Sequence, residues 1–361
     1  MKLGIEEEFI VINPDTLYHS PSAMRIANGL IYKNKDFIKK SSVELPLNSG
    51  IVKFVKKPQK GFCIIEIKTN PHKEIDELKN ELDYLRKDLT DVAEENNLFI
   101  IPTGIHPKFL IEENFTDNCA ALHIHVEGTE LKMYNRILSK IPFLISISTN
   151  SPFYNGRIMA MSSRSHISYH MALPKNHFNR ESDLLINNTL KTIEIRSLDT
   201  QITSEETIGI ASIYKTIAQN DFFDKKITKD EYLKQRQQSV LNGRINSLIT
   251  NEEYDIFNSK DKFSKKVLER ENGSNWQVKI YENYGFGSVI LSLWESFRKN
   301  KRVIKTTSKE INIENIKNWD LLYFIPYFPF LLIEKIKKYF QDINPIKDIK
   351  DKEDVFDYDS S

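Results

Sequence analysis

Cysteine is nearly absent from this sequence: Cys63 and Cys119 are the only two in 361 residues. That excludes a disulfide framework and suits a reducing compartment. Long apolar runs are missing as well. The most apolar late stretch, Leu321 to Ile333, is 13 residues long, carries Pro326 and Pro329, and sits between Asp320 and Glu334. A bilayer span needs about 20 residues. No basic-then-apolar leader precedes the first apolar segment, so a secretory signal is not expected. Nor does charge of one sign dominate. Lys and Arg number 51 against 50 Asp and Glu, a net charge of +1 that gives no field for nucleic acid or an anionic membrane. Internal repeats and low-complexity linkers are absent too. What remains is a cytoplasmic globular protein without a nucleic-acid or membrane partner, and a composition of 40% hydrophobic and 28% charged residues agrees.

What is present begins at once. Leu3, Ile5 and Phe9 to Ile12 are β-formers around Glu6-Glu7-Glu8, so the stretch reads as a strand. Side chains alternate along a strand, which sends Glu6 and Glu8 to one face and Glu7 to the other. Two neighbouring carboxylates on one face repel each other unless a cation, most simply a metal ion, sits between them. An exposed strand with a solvated acidic face is the plainer alternative.

Three later strands repeat the pattern. The second spans 61–69 and contains Glu66 and Lys68; Asn70-Pro71 ends it. Ile75, Leu78, Leu82, Leu85, Leu89 and Val92 then form one stripe of a long helix. A short strand at 98–101 enters the tight loop 102–107. The strand 119–126 holds His123 and His125. Residues 131–148 read as helix despite Pro142, and 150–168 as a polar loop. The strand 192–198 carries Glu194 and Arg196. From Thr203, where Glu206 completes a capping box, the pattern turns helical, with further helices at about 228–248, 261–270 and 274–299. Residues 20–60 show no period. The result is an α+β chain: one domain over 1–345, strand-rich to 200 and helix-rich after it, then a charged, disordered tail at 346–361.

Each polar pair, alone, fits an ordinary salt-bridged edge or satisfied core histidines. If the four strands adjoin, their shared face holds several carboxylates, two imidazoles, a lysine and an arginine, and burying that set without a ligand is costly. Carboxylates with one or two histidines suit Mg²⁺ or Mn²⁺, and Mg²⁺ commonly bridges phosphates. The basic residues would clamp those phosphates or a substrate carboxylate. Of the remaining histidines, all treated as loop residues, His106 is the exception to watch. Cys63 and Cys119 read as small core residues.

The order of these motifs resembles the type-2 carboxylate–amine ligase family, which includes glutamate–cysteine ligases of bacteria, plants and archaea. The correspondence runs through Gly4-Ile5-Glu6-Glu7-Glu8-Phe9, Glu66-Ile67-Lys68-Thr69-Asn70-Pro71, Gly104-Ile105-His106-Pro107 and Leu122-His123-Ile124-His125-Val126. It continues in Thr149-Asn150-Ser151-Pro152-Phe153, Gly156-Arg157, Ser163-Arg164 and Thr192-Ile193-Glu194-Ile195-Arg196-Ser197-Leu198-Asp199, with a fainter echo at 272–277. Together these cover roughly residues 1–300. The resemblance implies a glutamine-synthetase-like fold, a curved antiparallel sheet with helices packed on its outer side. It also implies ATP-dependent amide formation through an acyl phosphate.

Carried over, Glu6, Glu8, Glu66, His123 and Glu194 would hold the divalent ions. Arg196, with Glu194, would act at the transferring phosphoryl group, and Lys68 with Arg196 would bind the nucleotide. Arg164 and Arg157 would hold the amino-acid carboxylate, with Asn150 and Ser151 shaping the pocket. Two features depart from the family: the segment 168–192 is short, and Trp276 alters the pattern near Gly273. The leading expectation is glutamate–cysteine ligase, a step of glutathione biosynthesis, acting on glutamate and an amine and able to form a homodimer. A metal-dependent hydrolase and a non-catalytic nucleotide or amino-acid sensor are the alternatives.

Overall fold

The structure is a computed structural model and describes residues 1–33, 41–43, 63–108, 119–167 and 182–312. The apolar stretch 321–333, the tail 346–361, the first half of 168–192, and His170 and His177 lie outside the described residues.

One antiparallel sheet organises the chain. Its path runs β3 (Ser41–Val43), β4 (Ile64–Lys68), β1 (Leu3–Asn13), β6 (Ala121–Glu127), β10 (Thr192–Asp199) and β9 (Leu184–Asn187). Strands β2 (Tyr18–His19) and β5 (Phe99–Ile101) also pair with β1. The helices are α1 (Ala23–Lys33), α2 (Ile75–Glu95), α3 (Leu131–Ser148), α4 (Ser163–Ile167), α5 (Ser204–Gln219), α6 (Lys229–Asn242), α7 (Asn251–Lys260), α8 (Lys262–Glu269) and α9 (Gly273–Lys299), with the hairpin β7 (Phe153–Tyr154) and β8 (Arg157–Ile158) between α3 and α4. This is the α+β arrangement expected; among the described residues every strand lies before residue 200, but so do α1 to α4.

Several elements differ from the sequence reading. Helix α1 has a buried stripe of Ala23, Met24, Ile26, Ala27 and Leu30 where no period was read. The loop 150–168 contains a hairpin and a short helix. The helix expected over 228–248 ends at Asn242, because Gly243 takes φ 70°, a left-handed angle that L side chains avoid; α7 follows it unforeseen. Pro142 is accommodated inside α3, and the Thr203/Glu206 capping box is present.

Period two sorts the sheet into faces. Leu3, Ile5, Phe9 and Val11 of β1, with Ile67, Leu122, Ile124, Ile193 and Ile195, are buried towards α2, α3, α5 and α9. Glu7 falls on this apolar face, as alternation requires. Arg86 of α2 meets it with two bonds, Nε to Oε2 at 2.8 Å and Nη2 to Oε1 at 2.7 Å, and both side chains are almost fully buried. The guanidinium also reaches the Gln201 and Ile202 carbonyls, and it lies 5.4 and 5.3 Å from the Phe9 and Phe297 ring centres.

After α9 the chain doubles back in extended form. Ser288, Ser292 and Ser296 pair through their hydroxyls with the backbone of Thr307, Lys305 and Val303, respectively. The match is geometric: four helical residues rise about 6 Å and two extended residues about 6.6 Å. Gly287 lets the strap close, because a Cβ there would lie 1.9 Å from the Lys309 carbonyl oxygen.

Two predictions follow from the buried polar groups. Glu7→Leu leaves the Arg86 guanidinium buried without its partner and should cost about 3–5 kcal/mol in urea unfolding. Glu6→Gln, one residue away on the other and partly open face, should cost clearly less in the same measurement. The second concerns His106. It is fully buried, its Nε2 is 3.1 Å from the Leu17 carbonyl oxygen, and its Nδ1 accepts from the Lys108 N–H at 3.2 Å. Burial, followed by the Lys108 charge, outweighs the Leu17 bond and pushes its pKa down to about 4. The fold therefore holds the neutral ring while the unfolded chain takes up a proton near pH 6.5. Stability should fall between pH 6.5 and 4 by about 3 kcal/mol from this group, and His106→Gln should flatten that limb.

Candidate active site

The opposite face of the sheet carries the charge. Register does this: Glu6 lies opposite Lys68 of β4 on one side and His123 of β6 on the other. Glu8 lies opposite Glu66, and Glu194 of β10 lies opposite His125. Directly paired residues share a face, so the four pairs spaced by two converge on one trough. Most of the trough is buried. The side chains of Glu6, Lys68 and Arg196 keep 20%, 32% and 32% of their surface and form its open part.

Within it, Glu6 Oε2 lies 3.6 Å from His123 Nδ1 and 3.8 Å from His125 Nε2. Glu194 Oε1 is 4.0 Å from His123 Nδ1, and its Oε2 is 3.9 Å from His125 Nδ1. Arg196 pairs with Glu194, and Lys68 with Glu66 at 3.7 Å. Glu8 Oε2 accepts from the Ala121 N–H at 2.8 Å. Burial alone would raise the Glu6 carboxyl, but the facing imidazoles of His123 and His125 hold it well below the carboxylate range. Glu194 behaves likewise: burial is overcome by Arg196 and the two imidazoles, which bring it to about 2. The histidines diverge. Burial and then Arg196 push His123 down to about 4, whereas for His125 the pull of Glu194 and Glu6 exceeds the effect of burial and raises it.

One carboxylate oxygen of Glu6, one of Glu194 and a ring nitrogen of His125 lie within 4.8 Å of one another. Among the described residues, His123 Nδ1 and His125 Nε2 are buried without a hydrogen-bond partner. Oxygen and imidazole donors turned towards a shared point, with nitrogens lacking any other use, fit a divalent cation. Of the expected ligands, Glu6 and Glu194 belong to that group, and His123 Nδ1 lies beside it, 3.6 and 4.0 Å from their carboxylates. Glu8 and Glu66 occupy the next cross-strand row, tied to Ala121 and Lys68. His125, read in the sequence as part of the charged face but not as a ligand, joins the first group.

Strand β10 has an irregularity at this point. Ile195 pairs with Ile124 but Leu198 with Leu122, so Arg196 and Ser197 together oppose His123. The extra residue is a β-bulge, which re-aims side chains. It lets Ile193, Ile195 and Leu198 all face the helices while Arg196 stays on the charged side.

The residues expected to hold the amino acid lie beyond the bulge. Asn150 and Ser151 are fully buried and act as joints around Asp199. The Asn150 N–H and Ser151 Oγ donate to Asp199 Oδ2 at 2.9 and 2.7 Å, and Ser162 Oγ donates to Oδ1 at 2.9 Å. Asn150 also bonds the Pro102 and Thr200 carbonyls and accepts from Gln277. The local sequence does not single out Asp199; its pKa is raised by burial, with the Arg164 charge and the bonds from Asn150, Ser151 and Ser162 opposing. Arg164 donates Nη2 to the Arg196 carbonyl and Nη1 to the Leu198 carbonyl. Arg157 stands exposed in the β7–β8 hairpin.

No family model matches the chain. A protein of Bradyrhizobium diazoefficiens provisionally named glutamate–cysteine ligase 2 is 20% identical over 306 residues, 64% of this chain and 72% of its own length. One of the same name from Sorangium cellulosum is 24% identical over 264 residues, 60% of this chain and 66%, just under two thirds, of its own. Among solved structures, the glutamate–cysteine ligase of Francisella tularensis in complex with AMP superposes with a TM-score of 0.56 at 13% identity, covering 96% of this chain and 95% of that one. The fold is therefore that of the glutamine-synthetase-like ligases. The relatives carry the resemblance further, to the carboxylate–amine ligases, at low identity. Among the described residues no helix is long and apolar enough to cross a membrane.

If the trough holds a cation, Mg²⁺ or Mn²⁺ at a hundred times its Kd should add about 2.7 kcal/mol of stability. Glu194→Gln and Glu6→Gln should each remove most of that gain, measured by thermal unfolding with and without the ion.

Proposed function

We propose that the chain is an ATP-dependent carboxylate–amine ligase that joins the side-chain carboxylate of glutamate to an amine, with cysteine the default acceptor. The observation that carries this reading is the single trough in which Glu6, Glu194, His123 and His125 face one another beside Arg196 and Lys68. A metallohydrolase would use the acids and imidazoles but has less use for two basic side chains at the rim, which suit phosphates.

In this reading a carboxylate oxygen of glutamate attacks the γ-phosphorus, and the bond to the bridging β–γ oxygen breaks, releasing ADP. The amine nitrogen then attacks the acyl carbon of the resulting acyl phosphate. Phosphate leaves, and the amine proton passes to solvent. Divalent ions held by Glu6, Glu194 and His123, with Glu8 and Glu66 beside them, would neutralise phosphate charge and keep the reactants in line. Lys68 binds the nucleotide phosphates as a point charge. Arg196, oriented by its pair with Glu194, presents a planar fork to the equatorial oxygens as charge spreads over them. Arg157 is the proposed holder of the substrate's own carboxylate, and Asn150 and Ser151 set the pocket from behind through Asp199. Cytoplasmic location and a homodimer belong to the same proposal.

The test is ADP release with Mg-ATP, glutamate and a panel of amino acids and amines, with the product identified by mass. Release should require both glutamate and an amine. Arg196→Lys should lower kcat by about 10²-fold or more, the loss typical of one transition-state donor; a mild effect would remove Arg196 from that role. The short segment 168–192 keeps one other reading in view, a sensor on the same fold, for which nucleotide would raise the melting temperature with no turnover under any substrate pair.

A further inference from the structure

A bulge leaves backbone groups without ladder partners, and buried groups need partners from elsewhere. At Arg196–Leu198 the partners come from two other segments. The Arg196 N–H donates to the Asp183 carbonyl at 2.9 Å. The Arg196 carbonyl accepts from Arg164 Nη2 at 3.0 Å, and the Leu198 carbonyl from Arg164 Nη1 at 3.3 Å. The Ser197 carbonyl accepts from Ser165 Oγ at 3.1 Å. Arg164 and Ser165 belong to α4, and Asp183 precedes β9.

These two segments are joined in turn by one side chain. Arg236 of α6, 1% exposed, donates Nε and Nη2 to the Asp183 carboxylate at 2.6 and 3.1 Å and Nη1 to the Ser165 carbonyl at 3.2 Å. The Tyr232 hydroxyl, one helical turn earlier, adds a third bond to Asp183 at 2.6 Å. Arg236 thus holds the segment on each side of the bulge, and the bulge holds Arg196.

We infer that Arg164 and Arg236 are positioning residues that set the aim of Arg196 through the β10 bulge. The guanidinium of Arg164 is turned to the carbonyls on either side of Ser197, one terminal nitrogen to each, which ties its plane to the bulge. Freed from that hold, the bulge can relax towards regular pairing. Regular pairing would turn Leu198 towards the charged face and shift Arg196 along β10, away from the phosphoryl group. A displacement of about 1 Å at a reacting centre lowers rates by about 10²-fold.

This inference rests on the ligase reading, and its test separates the two. Arg164→Met and Arg236→Met are compared with wild type in two measurements. The first needs no substrate: amide hydrogen exchange across residues 192–199, where both variants should exchange faster while the helices α2 and α5 remain protected. The second is steady-state ADP release. Arg164→Met should lower kcat by about 10²-fold with KM for glutamate within about threefold, and Arg164→Lys, which can retain one of the two bonds, should recover part of the loss. Unchanged exchange in Arg164→Met overturns the inference. So does a large rise in KM for glutamate at near-normal kcat, the signature of a lost substrate clamp. A wild type without ADP release would sink the ligase reading alone, since the exchange result still decides the role of Arg164. Should Arg236→Met fail to fold, Arg164→Met carries both measurements.

Discussion

Three consecutive glutamates on a pleated strand cannot all face the same way, and that division governs the molecule. Glu7 is sent into the helical layer, where a lone carboxylate would be prohibitive, and Arg86 answers it with two bonds and an aromatic surround. Glu6 and Glu8 are sent to the other side, where β4 and β6 oppose them with Lys68, Glu66 and His123. A shift of one residue in β1 would exchange these sets and leave two carboxylates among the isoleucines. The Glu7–Arg86 pair therefore acts on register as well as on stability, because the correct register alone gives every glutamate a partner.

The β10 bulge is the second constraint, and it answers a conflict inside one strand. The sheet requires Ile193, Ile195 and Leu198 against the helices, while the trough requires Glu194 and Arg196. Strict alternation can satisfy the first four and not Leu198. One extra residue resolves it, at the cost of a disrupted ladder that α4, Asp183 and Arg236 then repair. The fold's later helices are not mere packing in this respect: α6 contributes Arg236, a buried charge bonded to both segments that grip the bulge.

Much of the trough was legible because period two is a local rule. Glu6, Glu66, His123 and Glu194 could each be assigned a face from immediate neighbours, and only their adjacency in the sheet had to come from the structure. The bulge had a signal too, the step from two to three between apolar positions 193, 195 and 198, and it was passed over. Other features had none of comparable strength. Arg236 and Asp183 stand 53 residues apart with nothing local to link them. Asp199 gathers Asn150, Ser151 and Ser162 from two places in the chain. The Ser288, Ser292 and Ser296 ladder reads as helix-compatible polarity until the returning strap supplies its partners. Local periodicity is written in sequence; pairings across long separations are set by tertiary packing.

The balance of charge on the trough bears on how a polyphosphate could enter it. Four carboxylates, those of Glu6, Glu8, Glu66 and Glu194, face two basic side chains, Lys68 and Arg196, and each of those bases already lies against one of the acids. A naked triphosphate approaching such a surface would meet net repulsion at short range, made stronger by partial burial. On the ligase reading, cations held by the acids would therefore have to accompany it. The arginine then has a narrower task than general attraction. With the bulk of the charge neutralised by the ions, a fork at one edge can respond to charge that shifts during transfer, and that response depends on aim. An arginine serving only as a counter-charge could sit on any flexible segment; this one is built into a bulge whose carbonyls are held by arginine and serine side chains from α4.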